Sequence, residues 1–379
     1  MTVKKVAFIH FPHNPSSARL ETMPFALNTV TSLEKIGWKI DLFLWEGQSH
    51  HYDNLFSDGI KVYYQKLIGV RKLRYLGPSR FWMQFRVLPS RYDYVFGVGQ
   101  IGAYIAALIA QSSHCPWIYM NDEFASCWDG ESIHRGWAAH EINAAKSAAI
   151  IIAPDEQRIP ELKKELGLPD KKYVALPNIP SPRYPVKEIN WRSLLGLPEN
   201  VIPFLHAGSV ADWAQIPELL SSVPYWPENT VLIIHSRSSQ GLEDYKRSLA
   251  HLDVPGRVYW SMSSLDEASL NSLVYFCAGS FALYRNTGPN IDLAGFSSGK
   301  LMRSIAYERP VIASRLTSFK FIEDFELGVL VDHPAEIPAA IDKISTNPAM
   351  FSQNCSHFCR SKVSFEKSWA DFFINLTAI

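Results

Sequence analysis

The sequence lacks a long uncharged hydrophobic run. Its longest candidate, Ile101 to Ala110, is about half of the ~18 residues that a membrane-spanning helix needs. The apolar stretch near the N-terminus is too short for a signal peptide, and no small-residue cleavage site follows it. These absences predict a cytoplasmic protein with no transmembrane segment, for which peripheral contact with a membrane stays open.

Net charge is also missing, because 37 Lys and Arg balance 37 Asp and Glu. Without a basic field the chain is not expected to bind nucleic acid. The five cysteines are odd in number and have no metal-ligand spacing, which predicts reduced thiols, no bound metal and no cofactor. No Gly-x-Gly-x-x-Gly follows the first predicted strand, which argues against a dehydrogenase.

The 379 residues are enough for two domains, and both halves alternate short apolar runs with helical patterns. Such alternation predicts an α/β fold with parallel sheets. The predicted strands are 5–11, 38–45, 60–64, 92–99, 116–120 and 150–153, then 201–206, 231–235, 258–260, 279–284, 310–313 and 328–331. Four prolines within 176–185 indicate a stiff connector. We therefore place one domain at 1–180 and another at 195–357, with the boundary between Pro177 and Glu199.

The segment 284–314 carries the most informative pattern. Ser297 and Ser298 are good helix N-caps, and Gly299 allows a ligand to approach the backbone. Amides at a helix start favour a phosphate, and Lys300 and Arg303 lie on the helix face opposite the apolar one. The spacing leaves two interpretations open: a site for two adjacent phosphates, or an ordinary capped helix with a solvated basic face.

Two stretches resemble the donor-binding motifs of the GT-B glycosyltransferases. One is Ser297-Ser298-Gly299-Lys300-Leu301, followed by Glu308-Arg309-Pro310-Val311-Ile312-Ala313-Ser314. The other is Ala207-Gly208-Ser209, which resembles the glycine turn that opens the second domain. The resemblance implies two Rossmann-like, doubly wound parallel-sheet domains facing a cleft, with a C-terminal helix at about 358–379 packing back on the first domain.

The activity that the resemblance implies is transfer of a sugar from a nucleotide sugar to a glycan, lipid-linked or other acceptor. It would be metal-independent, hexosyl-transferring and of the retaining kind, in cell-surface polysaccharide biosynthesis. The first domain would bind the acceptor and the second the nucleotide sugar. Residues implied near the diphosphate are Gly208, Ser209, Ser297, Ser298 and Gly299, with Lys300 as a cation.

The chain also departs from the family pattern. Many retaining members carry two glutamates eight positions apart, and Gly295 and Arg303 stand at those places. The Arg and Lys that commonly follow the glycine turn are absent as well. Other cations are then expected to meet the charge of the leaving group, and the candidates are Lys300, Arg303, Arg237 and Arg285.

Asn121-Asp122-Glu123 follows a predicted strand of the first domain and resembles the family's acidic dipeptide there. A carboxylate at this place could be the base for an acceptor hydroxyl or could bind hydroxyls, with Glu123 ranked before Asp122. The alternative is helix capping. His13 is a candidate hydroxyl ligand after the first strand, and Tyr259 a candidate for the base pocket, with a core role as its alternative.

Two other functions stay open at this point. A nucleotide-sugar epimerase or hydrolase could share the two-domain plan. A noncatalytic binding protein with the same fold would explain why the paired glutamates are missing.

Overall fold

The computed structural model describes residues 3–11, 20, 23–45, 56–65, 91–124, 132–180, 186–237 and 240–379. These residues form two compact units, Met1–Asn178 with Phe365–Ile379, and Ile179–Ser364. The second unit therefore begins near the start of the interval that the prolines marked. Trp191 shows why: it is 1% exposed, packs among apolar side chains of the second unit, and donates from Nε1 to Ser272 Oγ at 2.9 Å.

The first unit contains a seven-stranded parallel sheet. Its strands are β1 Lys5–His10, β2 Lys39–Trp45, β3 Ile60–Gln65, β4 Tyr94–Val98, β5 Trp117–Met120, β6 Ile150–Ala153 and β7 Tyr173–Ala175. They lie in the order β3-β2-β1-β4-β5-β6-β7. All six predicted strands of this half are confirmed. The seventh, β7, is only three residues long and was not predicted.

Helices of the first unit connect these strands. They are α1 Pro24–Lys35, α2 Gly99–Ser113, α3 Ser132–Ala145 and α4 Ile159–Leu166. The last helix of the chain, which we label α14, spans Phe365–Thr377 and belongs to the same unit. Its Phe373 ring lies 5.8 Å from Trp38, and its Phe372 ring lies 6.3 Å from Phe96. An aromatic face thus holds the C-terminus on the first sheet.

Three glycines join β4 to α2 in a Gly-x-Gly-x-x-Gly pattern that the sequence analysis did not single out. A Cβ on Gly97 would lie 2.5 Å from the carbonyl oxygen of Gly102, and one on Gly102 would lie 2.9 Å from that of Ile9. Gly99 has φ +65°, and a Cβ there would lie 3.2 Å from Asp122 Oδ1. The pattern is explained by close packing of helix on sheet, with the chain's own carboxylate beside the helix start.

The second unit contains a six-stranded parallel sheet. Its strands are β8 Ile202–Ala207, β9 Thr230–His235, β10 Val258–Ser261, β11 Gly279–Ala282, β12 Val311–Ser314 and β13 Gly328–Val331, in the order β10-β9-β8-β11-β12-β13. The predicted strands of this half are all confirmed. Its helices are α5 Trp191–Leu195, α6 Ile216–Ser222, α7 Gln240–Ser248, α8 Glu267–Phe276, α9 Pro289–Asp292, α10 Gly299–Ala306, α11 Phe321–Asp324, α12 Ile337–Thr346 and α13 Pro348–Ser361.

Successive side chains of β8 pack into different apolar clusters. Phe204 joins a cluster with residues of α6 and α12, and Leu205 joins another with residues of α8. Burial on both faces explains why the strands of this sheet are continuous apolar runs. Because β8 and β11 are neighbours and parallel, the loops that follow them emerge side by side at the carboxyl edge.

The glycine contact between β4 and α2 gives a stability prediction. Gly97→Ala should lower the free energy of unfolding of the first unit by about 1–3 kcal/mol, because its Cβ would clash with backbone that has no room to move. Urea unfolding followed by circular dichroism measures this. As a control, Gly241→Ala in α7, where a Cβ meets nothing within 4 Å, should be neutral or slightly stabilising. Equal effects of the two substitutions would contradict the packing argument.

Candidate functional site

The turn after β8 is fixed by side chain and backbone together. Gly208 has φ +120°, and its amide donates to the carbonyl of His235 at 3.0 Å. His206 is fully buried, and its Nε2 lies 2.9 Å from the carbonyl oxygen of Ser209. Because a carbonyl only accepts, Nε2 carries the proton. Burial, with the charge of Lys300 adding to it, lowers the pKa of His206 to about 3, so the ring is neutral.

The start of α10 lies beside that turn. Ser298 is its N-cap: Oγ accepts from the Leu301 amide at 3.5 Å and shares a hydrogen bond with the Tyr284 hydroxyl at 2.8 Å. The amide of Ser298, a residue expected near the diphosphate, already has an acceptor, because it donates to Ala294 O at 2.6 Å. Ser297 directs its Oγ to the same carbonyl at 3.0 Å. In the described part of the chain, the Gly299 amide has no acceptor.

Lys300 is the central group of this site. Its Nζ is buried and, among the described residues, has no hydrogen-bond partner. Nζ lies 5.0 Å from the centre of the Tyr284 ring, and 3.8 Å from where a Cβ on Gly208 would be. Burial lowers the pKa of Lys300 to about 8. An ammonium that is enclosed but unpaired is costly, and an anion entering beside Gly208 would satisfy it.

Aromatic residues that the sequence analysis missed build the wall of the site. Tyr284 is 6% exposed and stacks with Trp213, the ring centres 5.8 Å apart. The Trp213 carbonyl accepts from the Arg285 amide at 2.8 Å, and Ser314 Oγ accepts from the Tyr284 amide at 2.8 Å. The signal for Tyr284 was its position at the end of a predicted strand, whereas nothing local marked Trp213.

Arg303 does not share the site with Lys300. The expectation that these two cations form one basic face of α10 is therefore wrong. The Arg303 side chain is 8% exposed, and its guanidinium binds both carboxylate oxygens of Glu267 on α8, at 2.7 and 3.1 Å. It also donates to the buried Asn271 side chain. Because these acceptors occupy the guanidinium, Arg303 joins α10 to α8, whereas Lys300 lies against Tyr284 and Gly208.

The remaining candidates of the second unit have other neighbours. Arg285 forms an ion pair with Glu218, and its side chain is 58% exposed. Arg237 follows β9 and is half-buried. The pKa of His235 is lowered to about 4, mainly by burial and in smaller part by the charge of Arg237. Tyr259 packs on the apolar cluster around Trp191, and its hydroxyl donates to Gly256 O at 3.2 Å. This packing is what its alternative core role predicts.

In the first unit, the acidic pair follows β5 at the carboxyl edge of the sheet. Asp122 Oδ1 accepts from the Glu123 amide at 3.0 Å and lies beside Gly99, and burial raises the pKa of Asp122. Glu123 is exposed. The ranking of Glu123 before Asp122 is therefore not what the geometry favours, since Asp122 has the fixed and less solvated carboxylate. His13 lies outside the described residues.

The described ranges hold neither a metal-binding group nor a membrane-spanning helix. There, no three His, Cys, Asp or Glu side chains come together as a metal-binding group. No described helix combines the length and the apolar character needed to cross a bilayer.

The Arg303 contacts predict a structural effect. Arg303→Met should lower the free energy of unfolding by about 3–5 kcal/mol, because Glu267 is then buried without its partner. The double variant Arg303→Met/Glu267→Leu should regain most of that loss, since no charge is left unpaired. Urea unfolding of the single and double variants measures both. A single variant as stable as the wild type would show that the ion pair is dispensable.

Comparison with known proteins found similarity only at the level of structure. No family model matches the sequence, and no curated protein matches it. Sucrose-phosphate synthase from Thermosynechococcus elongatus superposes with a TM-score of 0.76 at 15% identity, over 99% of each chain. HepE of Anabaena in complex with UDP and glucose gives 0.70 at 15% identity, over 99% of this chain and 100% of the other.

A third structure, from E. coli and described as trehalose-6-phosphate bound with UDP-2-fluoro glucose, gives a TM-score of 0.67 at 10% identity, over 99% of both chains. Each match runs through both parallel-sheet units, so the likeness concerns the whole architecture and not one sheet. The chain has the GT-B fold, with two Rossmann-like α/β units.

Proposed function

We propose that this protein is a glycosyltransferase whose second unit binds the diphosphate of a nucleotide sugar. The observation that carries the proposal is the buried ammonium of Lys300, which has no hydrogen-bond partner in the part of the chain that the structure describes. A diphosphate oxygen beside Gly208 would satisfy it, and the Gly299 amide at the start of α10 would add a donor from a helix N-terminus. The GT-B fold supports the proposal, since structures with this fold include complexes described as containing UDP and glucose.

The chemistry follows from where the charges lie. During transfer, the bond between sugar C1 and the diphosphate oxygen breaks, and its electron pair leaves on the diphosphate. Lys300 stabilises that growing negative charge. An acceptor hydroxyl forms the new bond to C1 and gives its proton to a carboxylate, the role we assign to Asp122. Bonds and charges balance without a further reactant.

The finer assignments are part of the same proposal. We take the donor to carry a hexose, the transfer to be metal-independent, and the acceptor to be a glycan or a lipid-linked glycan. The retaining outcome that the resemblance implies is not part of this proposal, because one displacement at C1 with Asp122 as the base inverts the anomeric centre. The setting is cell-surface polysaccharide biosynthesis in the cytoplasm. These assignments derive from the resemblance of residues 207–209 and 297–314 to the family motifs. UDP is the first nucleotide to test, because it is present in the similar HepE structure.

The proposal predicts the effect of removing one charge. Lys300→Met keeps the length of the side chain and should weaken UDP binding about 10- to 100-fold, because one charge-assisted contact is worth about 1.5–3 kcal/mol. Isothermal titration calorimetry measures the affinity. Lys246→Met is the matched control, since Lys246 also lies over an aromatic ring, that of Trp260 at 5.1 Å, but in another part of the unit. UDP affinity that is equal in the two variants would remove Lys300 from the site.

The pKa of Lys300 predicts a pH dependence. Below pH 8 the free protein carries the ammonium, whereas above it UDP binding must also take up a proton. UDP affinity should therefore be constant between pH 7 and about 8 and then fall by up to tenfold per pH unit. Calorimetry from pH 7 to 10 measures this profile for the wild type and for Lys300→Met. The variant should show no such fall, and a wild-type profile that is flat to pH 10 would contradict the assignment.

A broader screen separates the alternative functions. A thermal-shift panel of UDP, GDP, dTDP, ADP and CMP should give stabilisation by at least one nucleotide. No response to any of them would favour the noncatalytic binding protein. If the matching nucleotide sugar is consumed equally with and without a panel of acceptors, an epimerase or hydrolase replaces the transferase.

A further inference from the structure

The turn that carries Asp122 is hydrogen-bonded to a connected series of buried polar side chains. Asn121 is 0% exposed, and its Nδ2 donates to the Glu123 carbonyl at 3.0 Å and to the Tyr119 hydroxyl at 3.1 Å. The Tyr119 hydroxyl in turn donates to a carboxyl oxygen of Glu141 on α3. These hydrogen bonds therefore run from helix α3, through Tyr119 of strand β5 and Asn121, to the Glu123 carbonyl, which comes just after Asp122.

A second set of contacts holds the same turn from another element. Arg158 donates from Nη2 to the Asp122 carbonyl at 3.2 Å, and its guanidinium lies over the Phe124 ring, 4.3 Å from the centre. The Glu123 amide donates to the Asp122 side chain. The carbonyls of Asp122 and Glu123 and the Glu123 amide therefore all have hydrogen-bond partners. A side chain on so constrained a backbone has few positions available, which is how catalytic groups are preorganised.

Glu141 is costly as a purely structural residue. It is 1% exposed, and no ion pair balances it in the described part of the first unit. Burial raises its pKa to about 8, so that it is neutral near pH 7. The groups facing it are the Tyr119 hydroxyl, which donates to it, the Gln100 side chain, and the carboxylates of Glu165 and Asp122, which oppose its ionisation. An apolar side chain would pack at this place without any desolvation.

We propose that Glu141 is a positioning residue that, through Tyr119 and Asn121, fixes the Asp122 carboxylate in the place where it accepts the proton of the acceptor hydroxyl. The proton-accepting part rests on the proposed function. The neutral acid suits this task, because it accepts from Tyr119 without placing a second negative charge beside Asp122. Asp122 in turn keeps a raised pKa, and a carboxylate with a raised pKa is the stronger base.

The test uses the titration of Asp122 in the full chain, which needs neither donor nor acceptor. The carboxyl carbons of Asp are labelled with ¹³C, the Asp122 signal is assigned with Asp122→Asn, and its pKa is read by NMR. We expect a wild-type value above the ordinary Asp value of about 3.9. Glu141→Gln should keep it, because the amide oxygen still accepts from Tyr119. Glu141→Ala should move it towards the ordinary value, as the loosened turn becomes hydrated.

If Glu141→Ala does not fold, Tyr119→Phe tests the same network, because it removes only the hydroxyl that links Glu141 to Asn121. It should move the Asp122 pKa in the same direction as Glu141→Ala. An ordinary pKa in the wild type, or an Asp122 pKa that neither Glu141→Ala nor Tyr119→Phe changes, overturns the positioning role. UDP binding by the wild type is measured in parallel: its failure would remove the proposed function while the NMR result still decides on the network.

Discussion

An ammonium group that is enclosed by protein and has no acceptor among the described residues is an interaction left incomplete, and Lys300 of the second unit is such a group. Lys300 lies over the Tyr284 ring and against the glycine turn, and burial alone accounts for its lowered pKa. The neutral imidazole of His206, which secures the Ser209 carbonyl, adds no second positive charge next to it. Burying an ammonium without an acceptor costs free energy, and the diphosphate that we propose binds here would offset that cost.

The sheet explains how the parts of this site meet. Gly208 follows β8 and Lys300 follows β11, and these strands are hydrogen-bonded neighbours although they are far apart in the chain. Parallel pairing brings both loops to one edge. Ser298 then fixes α10 by capping it and by bonding Tyr284, so that the helix start, the aromatic wall and the lysine form one rigid group.

The first unit also contains a buried titratable group, Glu141, but this group is neutral, whereas Lys300 of the second unit is charged. Glu141 is neutralised by a proton and accepts from the Tyr119 hydroxyl, whereas Lys300 keeps a charge and has no hydrogen-bond partner among the described residues. Desolvation shifts both pKa values towards the neutral form, to about 8, and a proton held at pH 7 leaves Glu141 neutral and Lys300 charged. Glu141 belongs to the hydrogen-bond network next to the Asp122 turn, and Lys300 is the group that we propose binds the diphosphate. Arg303 is a third case, because Glu267 and Asn271 satisfy its charge within the protein.

The hydrophobic pattern determined the two parallel sheets, because strands buried on both faces must be continuous apolar runs. The motif around residues 297–301 likewise predicts the candidate site at the start of α10. The pattern carries no information on where long side chains end. Lys300 and Arg303 lie three residues apart on α10, yet only tertiary structure decides that the first faces Gly208 and the second faces α8. The preference for Asp122 over Glu123 also depends on groups distant in the chain, Glu141 and Arg158, whose contacts with the 119–124 segment exist only once the helices have packed on the sheet.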